Sequence, residues 1–164
     1  MQELPATLEL SEALSGAFRD TLFATTVRPL TIRISSEGGS YVRARCIAQR
    51  LEQEESGVTA MIRQAEGPAA IVALACHRRE MEADGLLKLD LGGIFVTGAD
   101  VFDIDSYLDA FIRAETVVKW HVAWLESRFP CLAAAPEMAA LKKDNAVAID
   151  AARAFELGLI HAIV

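Results

Sequence analysis

The sequence predicts an α/β domain on a mainly parallel sheet, with residues 1–164 forming a single domain. Three observations carry this expectation. Apolar or β-branched runs alternate with helical patterns along the chain, as parallel strands joined by crossover helices require. One run, LTIRI, stops at Gly38–Gly39 and gives way directly to the helical pattern YVRARCIAQRL. A small-residue helix, GPAAIVALAC, then spans Gly67 to Cys76 between two further strands.

The elements follow in order. TLEL, Thr7 to Leu10, is expected as a short strand, and SEALSGAFRDTLF as a helix capped by Ser11. LTIRIS is the next strand. ISSEGGS, Ile34 to Ser40, turns the chain into a helix that runs to about Glu54. SGVTAMI is a third strand, followed by the small-residue helix. EMEADGLLKLD is expected as a hairpin-like pair of short strands, and Gly92, Gly93 and Gly98 mark a loop. A long helix follows from about Asp103 to Arg128, where Pro130 ends it. DAARAFEL closes the chain as a helix and LIHAIV as a strand. A strand that breaks at Gly-Gly and enters a helix gathers backbone N–H groups at one point, and such a point suits an oxyanion.

Composition narrows the function. A formal charge of −7 disfavours nucleic acid as a partner, and no Lys/Arg cluster exceeds short pairs. No apolar stretch is long enough to span a membrane, and MQELPATLELSE lacks the basic head and apolar run of a signal peptide. Cys46, Cys76 and Cys131 are odd in number and lack metal spacing, so reduced thiols in a cytoplasmic protein are expected, with no metal and no cofactor. At 52% hydrophobic the chain is apolar for its size, which points to area buried between subunits.

Three segments resemble, in order, the proteolytic subunit of Clp protease and its crotonase-superfamily relatives. IRISSEGGSYVRARCIAQRL is similar to that family's strand, its SPGG-type turn and the following helix, with Glu37 in place of the usual Pro. VTAMIRQAEGPAAIVALACHRREMEADGLLKLD is similar to the strand, nucleophile turn, Ala-rich helix and strand that ends in the catalytic histidine. IDAARAFELGLIHAIV is similar to the family's AeEAxxxGLiD close. The resemblance covers most of the chain. It implies a spiral of repeated β-β-α units, a long projecting helix and a serine-peptidase ancestry.

An ungapped match through the second segment places Gln64 and Ala65 on the QA of the nucleophile turn, while Arg63 departs from its leading Gly. The nucleophile serine then falls on Gly67, the next oxyanion position on Pro68, and the catalytic histidine on Asp90. The third triad member has no clean match, since Asp144 lies near it but out of spacing. A serine peptidase needs an activated hydroxyl, a base and oxyanion donors. Glycine supplies no nucleophile, an ordinary carboxylate is a poor base for a hydroxyl, and proline has no N–H. One lost donor alone costs on the order of 10²–10³ in rate. The resemblance therefore implies a non-catalytic, pseudo-serine-protease version of the fold, whose glycine turn (Gly38, Gly39) and Pro68 persist as an oxyanion or peptide-binding feature.

Two enzyme readings stand as alternatives: a serine-type endopeptidase, and a crotonase-like thioester-binding enzyme. In the second, RQAEGPAAIVALACH resembles the GxxxGG…LAxACD helix of enoyl-CoA hydratases, and the Gly67 N–H would polarise a thioester. Ser35, Ser36 and Ser40 read as turn and capping residues, and His77, His121 and His161 as structural or exposed. His161 stands where the family has Asp. Glu66 and Asp90 read as two solvated carboxylates, against the sharper alternative of a buried pair sharing a proton.

The long helix carries one apolar stripe, Ile104, Leu108, Phe111, Ile112, Val118, Val122 and Leu125, and a second face with Val117, Trp120 and Trp124. In the family the matching helix builds contacts between rings. The resemblance thus implies a homo-oligomer with Trp120 and Trp124 as contact residues; their competing role is to cover the edge of the chain's own sheet. Peptides, an unfoldase or an active paralogue are the partners it suggests.

Overall fold

The computed structural model describes residues 6–54, 57–92 and 104–164, with the backbone alone for 104–111, 113 and 114. Its elements are β1 Ala6–Leu10, α1 Gly16–Ala24, β2 Leu30–Ser36, α2 Tyr41–Gln53, β3 Val58–Glu66, α3 Pro68–Ala75, β4 Arg78–Asp90, α4 Ile104–Arg128, α5 Pro130–Ala133, α6 Pro136–Asp144, β5 Ala146–Asp150, α7 Ala151–Glu156 and β6 Ala162–Ile163. The strands form one sheet in the order β1-β2-β3-β4-β5, with β6 beside the start of β4. All described pairings are parallel except β4 with β5. The α/β architecture with a mainly parallel sheet is therefore the one the sequence predicts.

Alternation in the strands decides which face is buried. Leu30, Ile32 and Ile34 of β2 and Val58, Ala60 and Ile62 of β3 are fully covered, while Arg33 and Arg63 on the other face are exposed. Against the covered face lie Ala44, Ile47, Ala48 and Leu51 of α2 and all eight residues of α3. A helix that is apolar all round is stable only inside such a core, where each large side chain adds roughly 1.5–3 kcal/mol.

The two central strands each break register near their C-terminal ends. β2 slips between Ile34 and Ser35, and β3 between Ile62 and Gln64. Each remains one strand and is followed by a helix, α2 after β2 and α3 after β3, so the repeat along the chain is β-α rather than the expected β-β-α. The largest slip lies in β4, where Met81 and Leu86 face Ile62 and Gln64. EMEADGLLKLD is consequently one bulged strand, and the hairpin-like pair is corrected. Gly85 makes the bend possible, since a Cβ there would lie 2.8 Å from the Glu82 carbonyl oxygen.

Smaller corrections concern helix ends. Ser15, not Ser11, caps α1, its side chain accepting from the Phe18 N–H at 3.2 Å. The residues between them lie along the glycine turn, with Leu14 bridged to Gly39. Gly93 and Gly98 fall outside the described residues, as do the side chains of Ile104, Leu108 and Phe111.

The last turns of α4 lie over α2 and the end of α3. His121, Trp124 and Leu125 are buried there. Arg128 donates to the Leu74 and Ala75 carbonyls, and Arg79 to that of Cys76, so two arginines cap the C-terminus of α3. Trp124 donates its indole N–H to Glu52 at 2.6 Å and stacks on Trp120 with centroids 5.7 Å apart. Trp124 is only 8% exposed, so it packs within its own chain, and of the two tryptophans only the half-buried Trp120 has area left for a neighbour.

Candidate functional site

Two strand-to-helix turns meet at the C-terminal end of the sheet. The first joins β2 to α2. Ser36 is buried and donates its hydroxyl to the Glu12 carbonyl at 2.6 Å, which ties the turn to the segment before α1. Gly38 and Gly39 then take φ of 140° and 130°, a region that other residues rarely adopt. A Cβ on Gly39 would lie 2.3 Å from the Leu14 nitrogen, so glycine is required by packing as well. The Gly38 carbonyl accepts from the Leu14 N–H at 2.9 Å. Neither glycine N–H donates a hydrogen bond among the described residues.

The second turn joins β3 to α3. Gly67 has φ 50° and precedes Pro68 at the first helical position. Proline suits that position because the N–H it lacks has no helical partner there. The Gly67 N–H is already committed, donating to the Lys88 carbonyl at 2.9 Å. To polarise a thioester carbonyl this N–H would have to exchange that bond.

Between the turns and the end of β4 lies a cleft of about 220 Å³ lined by Glu37, Gly38, Gly39, Tyr41, Glu66, Gly67, Pro68, Lys88, Asp90 and Gly92. Every position matched to the peptidase centre, Gly38, Gly39, Gly67, Pro68 and Asp90, is therefore on one wall or another of it. Asp144 is exposed at the end of α6 and does not line the cleft.

The residue that sequence reasoning missed is Tyr41. Its hydroxyl donates to the Asp90 main-chain oxygen at 2.9 Å. A Cβ built on Gly67 would lie 2.8 Å from that hydroxyl, and one on Gly92 would lie 2.8 Å from the ring. Tyr41 thus occupies the space into which a side chain at position 67 would project. Burial first, then the Asp90 charge, pushes the phenol well above its ordinary pKa, so it stays protonated near neutral pH and is no nucleophile or base there. Its ring meets the buried His121 edge-on at 4.8 Å, with Trp120 5.0 Å beyond. A hint was available in the sequence: a large aromatic at the first helical residue after the glycine turn, in a chain with glycine at the matched nucleophile position.

The carboxylates separate into two environments. Glu66 accepts from Gln64 at 2.7 Å and from Lys88 at 3.0 Å, and these bonds hold its carboxyl below the usual range. Asp90 accepts instead from the Gly92 N–H at 2.5 Å. Glu66 is thus an ionised partner of Lys88, and no shared proton is called for. The histidines lie elsewhere: His77 contacts the Glu54 carbonyl, His161 packs on Arg79, and His121 is driven down to about 4 by burial and then by Arg45. None lines the cleft. Cys76 is buried, which pushes its thiol up to about 12 and leaves it unreactive. Among the described residues no three His, Cys, Asp or Glu side chains come together as metal ligands, and no helix is long and apolar enough to cross a membrane.

The chain has a ClpP-like fold. It superposes on a single-residue mutant of ClpP1 from Listeria monocytogenes with a TM-score of 0.69, at 12% identity, over 96% of this chain and 90% of that one. Identity at that level establishes the fold alone. No protein-family model matches the sequence, and no curated protein matches it.

Proposed function

We propose that this chain is a non-catalytic version of the Clp-protease fold, a pseudo-serine-protease that serves as a structural, regulatory or peptide-binding subunit of a homo-oligomer. The observation that carries the reading is the exchange at the cleft. Position 67 offers no hydroxyl or thiol, its Cβ space holds the Tyr41 hydroxyl, and Asp90 is the residue that the sequence resemblance matches to the base. Peptidase chemistry needs nucleophile, base and oxyanion donors together, and removing one rarely leaves a working site.

The glycine turn supports the peptide-binding form of this reading. The uncommitted Gly38 and Gly39 N–H groups are donors that an extended peptide backbone can use. Among the described side chains of α4, Trp120 and the half-exposed Ile112 are apolar residues available to a neighbouring copy. Incubation with unfolded casein is expected to give no cleavage, and light scattering is expected to give a species larger than one chain. Casein turnover would overturn the non-catalytic reading, and a stable monomer at micromolar concentration the oligomeric one.

A further inference from the structure

At the other end of β4 a buried arginine has no carboxylate partner among the described residues. Arg79 is 7% exposed and donates Nε to the Leu159 carbonyl at 2.6 Å and Nη1 to the Cys76 carbonyl at 2.9 Å. Its guanidinium rests over Phe129 at 5.3 Å. No carboxylate pairs with it among the described residues. A buried cation is ordinarily paired, so this one is an exception to explain.

The remaining nitrogen, Nη2, faces His161 Nε2 at 3.4 Å. The His161 tautomer follows from its other nitrogen. Nδ1 lies 3.0 Å from the Arg79 main-chain nitrogen, and a main-chain N–H only donates, so Nδ1 accepts. In the neutral ring the proton is then on Nε2. Burial, then Arg79, keeps the ring below its ordinary pKa and so neutral. Two N–H donors therefore converge with no acceptor between them. The nearby carboxylates are committed: Glu80 pairs with Arg78 at 2.5 Å and Glu52 with Arg128 at 3.2 Å. His161 itself is exposed, while Arg79 lies beneath it.

We propose that Arg79 Nη2 and His161 Nε2 form an oxyanion-binding site, separate from the glycine cleft, that takes one oxygen of a phosphate or carboxylate group across both donors. An oxygen placed there accepts two charge-assisted or polar hydrogen bonds and supplies the negative charge that the guanidinium lacks. The site does not depend on the proposed loss of peptidase chemistry.

The test is long-range ¹H–¹⁵N NMR of the full chain at neutral pH, first without ligand and then with inorganic phosphate at constant ionic strength. The expected spectrum shows His161 as the Nε2–H tautomer, with saturable phosphate shifts at His161 and the Arg79 side chain. His161→Ala is expected to weaken phosphate about tenfold, and His161→Gln, which retains an N–H donor, by less. Because His161 is exposed, both variants are expected to fold, and backbone spectra check this. Acetate that displaces phosphate assigns the site to carboxylates as well; phosphate binding that acetate leaves untouched assigns it to phosphoryl oxygens. An Nδ1–H tautomer would overturn the proposal, since Nε2 would then accept from Arg79. Linear shifts equal in the chain and in His161→Ala would overturn it as well.

Discussion

The two turns at the C-terminal end of the sheet begin alike and end differently. Each follows a register slip in its strand, each carries glycine in the positive-φ region, and each opens a helix. At Gly38–Gly39 the N–H groups remain uncommitted among the described residues. At Gly67 the N–H is bonded to Lys88, the next residue is proline, and Tyr41 fills the side-chain space. The difference is one of anchoring. The Gly38–Gly39 turn is held by backbone and side-chain bonds to Leu14 and Glu12, whereas the space at Gly67 is set by one side chain, that of Tyr41.

Substitutions graded by size test that contrast. Gly39→Ala is expected to have the largest effect, about 3 kcal/mol or more, because its Cβ would strike the Leu14 backbone at 2.3 Å. Gly38→Ala, whose Cβ would meet only Pro68 at 3.9 Å, carries the φ strain alone, about 1–2 kcal/mol. Urea unfolding of both variants checks the difference, and equal losses would break the claim that Leu14 locks the turn.

Acid comes next. His121 backs Tyr41, and both its ring nitrogens are unpartnered among the described residues. Burial, then Arg45, lowers its pKa from 6.5 to about 4 in the folded chain. The unfolded chain therefore takes up the proton first. The stabilising contribution is complete above the unfolded value and is lost as pH falls toward about 4. Its size is on the order of 3 kcal/mol. Unfolding midpoints measured across that window should fall with pH, and His121→Phe should flatten that part of the slope.

At the closed turn, Gly67→Ala is expected to cost about 2–3 kcal/mol from φ strain and collision with the Tyr41 hydroxyl. In a Tyr41→Phe background the same change should cost measurably less, since the atom in conflict is gone; additive losses in this double-mutant cycle would contradict the filled-site account. The smallest effect belongs to Tyr41→Phe alone, about 1 kcal/mol for one hydrogen bond to the Asp90 carbonyl.

Much of the fold was legible in the sequence because it is written in short-range patterns. LTIRIS alternates, GPAAIVALAC is apolar throughout, and Ser40 caps the helix it precedes. The single strand β4 was not legible: Asp84 and Gly85 carry a turn signal, and only pairing with β3 on one side and with β5 and β6 on the other holds the segment extended. The short α5 and α6 and the antiparallel β5 have little periodicity to reveal them. Motif order located the cleft residues, and the structure brings those positions to one cleft. Tyr41 escaped because its role depends on facing Gly67 and Gly92 across the fold, a relation that no local pattern carries. Trp124 was read by its spacing along α4, which cannot tell a face turned to α2 from one turned to a neighbour.

The most direct test of the central claim is labelling of the purified chain by a fluorophosphonate probe, read by intact mass and peptide mapping. The account predicts an unmodified chain, because no activated hydroxyl lines the cleft among the described residues. A saturable adduct on any residue of this chain, abolished by unfolding, would contradict it.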